Sequence, residues 1–262
     1  IEFANREPLT IRTGAAWPQA RDLGPYGMEA FGEPGLKEDH ALPARQLRKE
    51  FTLAKKPTRA TAYVSGLGLS ELYLNGARIG NQVLSPNLTE YGKRAFYITH
   101  DVTAQLRAGG NAIGLWLGNG RFYEPRPGTG YGSPKARLQL DIEFADGTTS
   151  QVITDPTWRI SADGPIRANN EFDGEEFDAR RQFAGWAEPG FDDSKWQPAQ
   201  AVSAPGGILA AQMAEPLQVT ETLHPVKVTR RRPGVYLFDM GQNMVGWCRL
   251  HVSGKAGTRV VL

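Results

Sequence analysis

Along ARLQLDIEF, Leu138, Leu140, Ile142 and Phe144 fall on one side of an extended chain, while Arg137, Gln139, Asp141 and Glu143 fall on the other. A period of two marks a strand with one face packed and one face wet. NAIGLWLG repeats the pattern, with Ile113, Leu115 and Leu117 together and Trp116 opposite. Upstream, QLRKEFTL, TRATAYVSG, LSELYLNG and ARIGNQVLSP are short β-rich runs between turn signals and read as consecutive strands. Asn75-Gly76 joins the last two and predicts a tight hairpin, because both central positions of a type I′ turn need positive φ. Asp146-Gly147 likewise turns ARLQLDIEF back into TTSQVIT. The one helical candidate is DVTAQLR, a turn or two capped by Asp101 or Thr103.

These runs make the chain all-β. Residues 1–44, rich in Gly, Pro and mixed charge, read as an irregular lead-in, and 45–202 as a jelly-roll-like β-sandwich. Residues 203–262 read as a linker, SAPGGILAAQMAE, followed by the opening of a second β-sandwich with LQVTETL, VKVTR, GVYLFDM, MVGWCRLHV and TRVVL as its strands. A sheet that stops on an apolar run leaves an open edge, so this second sandwich is expected to be incomplete and the chain to be part of a longer polypeptide.

Composition narrows the function classes. Thirty Gly and 18 Pro in 262 residues demand many turns and few long helices. Thirty basic residues against 28 acidic ones leave a net charge of only +2, which argues against a nucleic-acid partner. A lone cysteine, Cys248, closes no internal disulfide and supplies no thiolate zinc cluster. No apolar run is long enough to span a bilayer, and IEFANREPLT lacks the build of a signal peptide, so a soluble or already processed chain with no membrane partner is expected. Neither a GxxxxGK[ST] nor a GxGxxG phosphate loop with a following acidic residue occurs, and His40, His100, His224 and His251 are scattered.

The stretch from Arg48 to Tyr123 contains RKEFTL, YVSGLGLSELYLNGARIG, LSPNLTEYGKRAFYITHDVTAQL and GGNAIGLWLGNGRFY. It resembles the amino-terminal β-domain of bacterial α-L-rhamnosidases of glycoside hydrolase family 78. The likeness continues through FDGEEFDAR at 172–180 and PGFDDSKWQPA at 189–199. It then runs into VYLFDMGQNMVGWCRLHVSGKAGTRVVL at 235–262, which is similar to the start of the next β-sandwich of those enzymes. The resemblance implies removal of terminal α-L-rhamnose from a glycoside by an inverting route, with one carboxylic acid and one carboxylate about 6.5–9.5 Å apart. In that family both come from an (α/α)-barrel carboxy-terminal to the sandwiches. No catalytic residue is therefore assigned within this chain, and the barrel and a rhamnose-containing glycoside are the expected partners. No compartment follows from the residues, although a periplasmic or secreted home suits such an enzyme.

Two regions carry candidate binding chemistry. The first is a rim made of the loops 85–91 and 118–131, with Asn87, Glu90, Tyr91, Asn119, Arg121, Phe122, Tyr123 and Tyr131. Aromatic faces with amide and carboxylate groups suit a sugar, and Asn87, Glu90, Tyr91, Asn119, Tyr123 and Tyr131 are its expected substrate-binding residues. The same residues also suit a plain structural role: Gly118-Asn119-Gly120 as a tight turn, Phe122 and Tyr123 as cover for the core edge. The second region, residues 169–193, holds eight acidic residues (Glu171, Asp173, Glu175, Glu176, Asp178, Glu188, Asp192 and Asp193) against Arg180 and Arg181. That density suits the six to eight oxygen ligands of Ca2+ or, equally, a solvated or arginine-paired loop. Related family members bind rhamnose through calcium using an adjacent Asp-Asn pair, which this chain lacks, so no metal ligand is named. Trp186 and Trp196, flanking FDDSKW, are expected in a core. A free-standing module for rhamnosylated glycans and a ligand-free structural β-domain are the alternatives to a hydrolase part.

Overall fold

The computed structural model describes residues 42–123, 131–170 and 174–261. Most of the expected lead-in lies outside them. Fifteen strands follow in order: β1 Arg45–Leu53, β2 Arg59–Leu67, β3 Leu69–Leu74, β4 Ala77–Ile79, β5 Arg94–Asp101, β6 Gly109–Gly118, β7 Lys135–Glu143 and β8 Thr149–Ile153; then β9 Arg159–Ser161, β10 Ile166–Asn170, β11 Gly174–Phe177, β12 Gln197–Pro198, β13 Ile208–Ala211, β14 Lys227–Arg232 and β15 Val235–Asp239. A six-stranded sheet runs β12-β9-β1-β6-β3-β4, and a five-stranded sheet runs β13-β5-β2-β7-β8. The result is the β-sandwich that the alternation implies.

One core joins the two sheets. Leu138, Leu140 and Ile142 of β7 are fully buried with Ala60, Ala62 and Val64 of β2, against Ile113, Leu115 and Leu117 of β6 and Leu72 and Leu74 of β3. Each such leucine or isoleucine contributes about 1.5–3 kcal/mol through burial. The β3–β4 hairpin turns on Asn75 and Gly76 at φ 49° and 85°, the left-handed values its turn type requires. β7 and β8 are paired antiparallel around Asp146-Gly147.

On the outer face of the six-stranded sheet the alternation has a second consequence. Gly114 opposes Arg48 in the β1–β6 register. A Cβ at Gly114 would lie 2.5 Å from the Trp186 ring, so the bare glycine lets that indole lie on the sheet. Trp186, Ala187 and Trp196 form a small buried cluster with Tyr73, Trp116, Phe183 and Phe191, and the two buried indoles stack at 6.4 Å. The core role expected for the tryptophans is thus realised on the outside of the sheet, under the 183–196 segment.

Several expectations need correction. ARIGNQVLSP is a strand only over Ala77–Ile79, because Gly80 and Leu84 take φ of 78° and 48° and break the extension. DVTAQLR forms only a 3₁₀ turn, Thr103–Gln105, with the Asp101 carboxylate accepting from the Thr103 N–H at 3.0 Å. The compact unit runs to Gln218, not 202, because Ile208–Ala211 adds in parallel to β5 and the Leu217 carbonyl accepts from Val83. A second unit begins at Val219, and in it β14 and β15 pair as a hairpin. Among the described residues LQVTETL pairs only through a single antiparallel bridge, Gln218 with Gln82, and MVGWCRLHV and TRVVL join no named strand; a run without a ladder is only extended chain.

Candidate functional site

Of the two rim loops, residues 85–91, 118–123 and 131 are described and 124–130 lie outside the described residues. Tyr91 and Phe122 are buried together with Leu67 and Ala95. Tyr91 meets the Phe122 ring at 5.0 Å and the Tyr131 ring at 5.1 Å, both edge to face, and Tyr131 stacks on Phe122 at 5.7 Å. The Tyr131 N–H donates to the Phe122 carbonyl at 2.7 Å. Of these three rings only that of Tyr131 is open to solvent, at 45% exposure.

Asn119 is 1% exposed and acts inward. Its amide donates to the carbonyls of Leu42 at 2.7 Å and Asn169 at 2.9 Å, and its own N–H donates to Asn169 Oδ1 at 2.7 Å. Asn119 Oδ1 and Asn169 Nδ2 are buried without a hydrogen-bond partner among the described residues. The glycines here are set by close approach: a Cβ at Gly68 would sit 2.2 Å from the Gly118 carbonyl oxygen. Asn87 is tied elsewhere, its N–H donating to Gln212 Oε1 at 2.8 Å. Glu90 pairs with Lys93 at 3.0 Å in solvent. Tyr123 is half-buried and lies within electrostatic reach of Arg45, whose guanidinium burial pushes below its ordinary value. The loops therefore bring Tyr91, Phe122 and Tyr131 together, while Asn119 faces Leu42 and Asn169, Glu90 pairs with Lys93 and Asn87 is fixed through its backbone.

Among the described residues the acidic side chains of the second region do not converge. Asp178 accepts from the N–H of Arg180 at 3.1 Å and from its guanidinium at 2.8 Å, with Arg181 at 3.8 Å, and these cations hold its carboxyl at about 2. Hydrogen bonding from Ser194, its side chain first and then its N–H at 3.0 Å, lowers the pKa of Asp192. Asp193 is drawn to Arg48 instead. That guanidinium, 1% exposed, also pairs with Glu50 and donates to the carbonyls of Trp186 at 2.8 Å and Glu188 at 3.0 Å, under the Phe191 ring at 5.3 Å. The segment is a strap pinned to β1. Among the described residues no three His, Cys, Asp or Glu side chains gather to hold a metal ion; Glu171 and Asp173 of this segment lie outside them.

One feature escapes sequence reasoning. On the outer face of the five-stranded sheet, Tyr63 and Ser65 of β2, Tyr97 of β5, Arg137, Gln139 and Asp141 of β7 and Leu209 of β13 line a hollow of about 280 Å³. Alternation places the β7 residues on the wet face, but only the register sets them beside Tyr63, which opposes Gln139. Among the described residues no helix is long and apolar enough to cross a membrane.

Comparison with known proteins agrees with this architecture. The family model of the alpha-L-rhamnosidase N-terminal domain matches residues 55–221. That of the bacterial alpha-L-rhamnosidase concanavalin-like domain matches residues 229–262. An alpha-L-rhamnosidase of Streptomyces avermitilis is 42% identical over 267 residues, covering 98% of this chain and 25% of the relative. One from Formosa agariphila is 36% identical, covering 82% and 23%. Of solved structures, the alpha-L-rhamnosidase from Dictyoglumus thermophilum superposes with a TM-score of 0.73 at 42% identity, over 77% of this chain and 22% of that one. The S. avermitilis alpha-L-rhamnosidase complexed with L-rhamnose gives 0.74 at 36%, over 89% and 24%. The chain spans about a quarter of the length of the curated relatives it matches. With the N-terminal domain model matched from residue 55 to 221 and the next domain's model following at 229, the chain belongs to the alpha-L-rhamnosidase family.

Proposed function

We propose that this chain is the non-catalytic amino-terminal portion of an α-L-rhamnosidase that cleaves terminal α-L-rhamnose from glycosides with inversion. The catalytic acid and base then lie in the (α/α)-barrel, outside these residues. The observation that carries this reading is the order of two rhamnosidase domain models on one chain that covers only 25% and 23% of its relatives. Its chemistry is consistent: an inverting pair must leave room for water between two free carboxyl groups. Asp178, Asp193 and Glu50 are instead spent on arginines that fasten loops. On this reading the sandwich is a rigid flank for the barrel. The exposed edge of the rim, Tyr131 backed by buried Tyr91 and Phe122, is where this portion would meet the rhamnoside.

The test is the polypeptide translated from the whole gene, assayed with p-nitrophenyl α-L-rhamnopyranoside and product anomer identified by NMR. Release of β-L-rhamnose as the first-formed sugar is expected. No release, or first-formed α-anomer, overturns the reading.

A further inference from the structure

We propose that the outer face of the five-stranded sheet carries a binding groove for a neutral saccharide, separate from the rim. A wet sheet face ordinarily presents solvated side chains with no hollow between them. Here Tyr63 and Tyr97 stand edge to face at 5.9 Å, half-buried, and form one wall of the hollow of about 280 Å³. That volume lies just below the roughly 300–1,000 Å³ of drug-sized small-molecule sites and suits a small ligand such as a single pyranose ring.

The remaining lining is polar and ordered. Asp141 is fixed by two amides, Gln139 donating to its oxygens at 3.1 and 3.0 Å and Gln151 donating at 2.7 Å. A carboxylate held in this way keeps acceptor capacity in a set direction. The Ser65 hydroxyl donates to the Phe96 carbonyl at 2.8 Å and is 4% exposed. The Arg137 guanidinium, opposite Ser65 in the β2–β7 register, has no hydrogen-bond or ion-pair partner among the described residues, and neither does the hydroxyl of Tyr63 or Tyr97.

This combination selects the ligand class. Flat rings accept the C–H face of a sugar, while donors and acceptors at fixed positions around them meet its hydroxyls. One guanidinium and one carboxylate cancel, so the groove favours a ligand without net charge. A polyanion would find a single cation beside a like charge. A purely apolar partner would strand Arg137, Asp141 and Gln139.

The experiment is a titration of the ¹⁵N-labelled 262-residue chain with methyl α-L-rhamnoside, methyl β-D-glucoside and methyl β-D-galactoside, and with a heparin oligosaccharide as the anionic arm. Saturable shifts at the amides around Tyr63, Tyr97 and Arg137 with at least one neutral glycoside are expected. Tyr97→Ala and Arg137→Ala should each weaken binding by about tenfold or more, with Tyr97→Phe retaining most of it and Lys56→Ala unchanged. Melting curves of each variant, followed by circular dichroism, confirm folding, and Arg137→Ala, at an exposed position, keeps the test decisive if Tyr97→Ala does not fold. No saturable shift with any neutral glycoside, tighter binding of heparin, or shifts confined to the Tyr131 rim overturns the proposal. None of these results depends on whether the whole gene product cleaves rhamnosides.

Discussion

Replacing Arg48 with Met should cost the sandwich about 3–5 kcal/mol, the range for removing one partner of a buried ionic network. Two groups of interactions are lost, and their sizes differ. Asp193 and Glu50 are 25% and 42% exposed, so both carboxylates can rehydrate and their loss is small. The carbonyls of Trp186 and Glu188, in the strap itself, would lose a charged donor, at about 1–3 kcal/mol for the buried Trp186 bond and less for the part-buried Glu188 one. The carbonyls therefore dominate the cost. For a unit of this size the total corresponds to a fall of about 6–20 °C in Tm. Arg48→Lys should recover little of it, because an ammonium cannot reproduce the guanidinium fork. Thermal unfolding followed by tryptophan fluorescence reads this out, since Trp186 and Trp196 both lie in the strap. A Tm within 2 °C of wild type, or full recovery by lysine, would refute the reasoning.

Three further outcomes are expected. Gly114→Ala should cost about 1–3 kcal/mol by overpacking and red-shift tryptophan emission as Trp186 lifts, an effect absent if the ring lies elsewhere. At the rim, Tyr91→Ala should cost about 3–5 kcal/mol while Tyr131→Ala, at a 45% exposed site, should cost far less; chemical denaturation separates them, and equal losses would contradict the packing described. Burial and the nearby Arg78 lower the pKa of His100 below 6.5, so the unfolded chain binds a proton there first as pH falls. Stability should therefore decline from about pH 7 through 6.5 and level off below the folded-state value, and His100→Gln should remove that slope in Tm. An unchanged slope would assign it to other groups.

The parts of this fold legible in the sequence are those governed by neighbours along the chain. Leu138, Leu140 and Ile142 alternate with charged residues and are buried as a set; Asn75-Gly76 makes the turn its chemistry dictates. What the residues do not disclose depends on pairing across the fold. Ile208–Ala211 carries no strand pattern that distinguishes it from a linker, and only its parallel register with Arg94–Tyr97 incorporates it into the sandwich. The rim shows the same limit in a different way. Composition marked Tyr91 and Asn119 as sugar-facing groups, but aromatic and amide residues serve a core edge equally well, and the packing turns both inward. The sheet-face groove draws on β2, β5, β7 and β13, so no local window contains it. The acidic segment read as a calcium candidate is the strap over Arg48, a relation between residues 138 to 145 positions apart.

The most direct test of the central claim is an assay of the purified, folded 262-residue chain with p-nitrophenyl α-L-rhamnopyranoside. The account predicts no nitrophenol above the buffer rate while the two-sheet unit remains cooperatively folded. Turnover that co-purifies with the chain would place the acid and base inside the sandwich and contradict it.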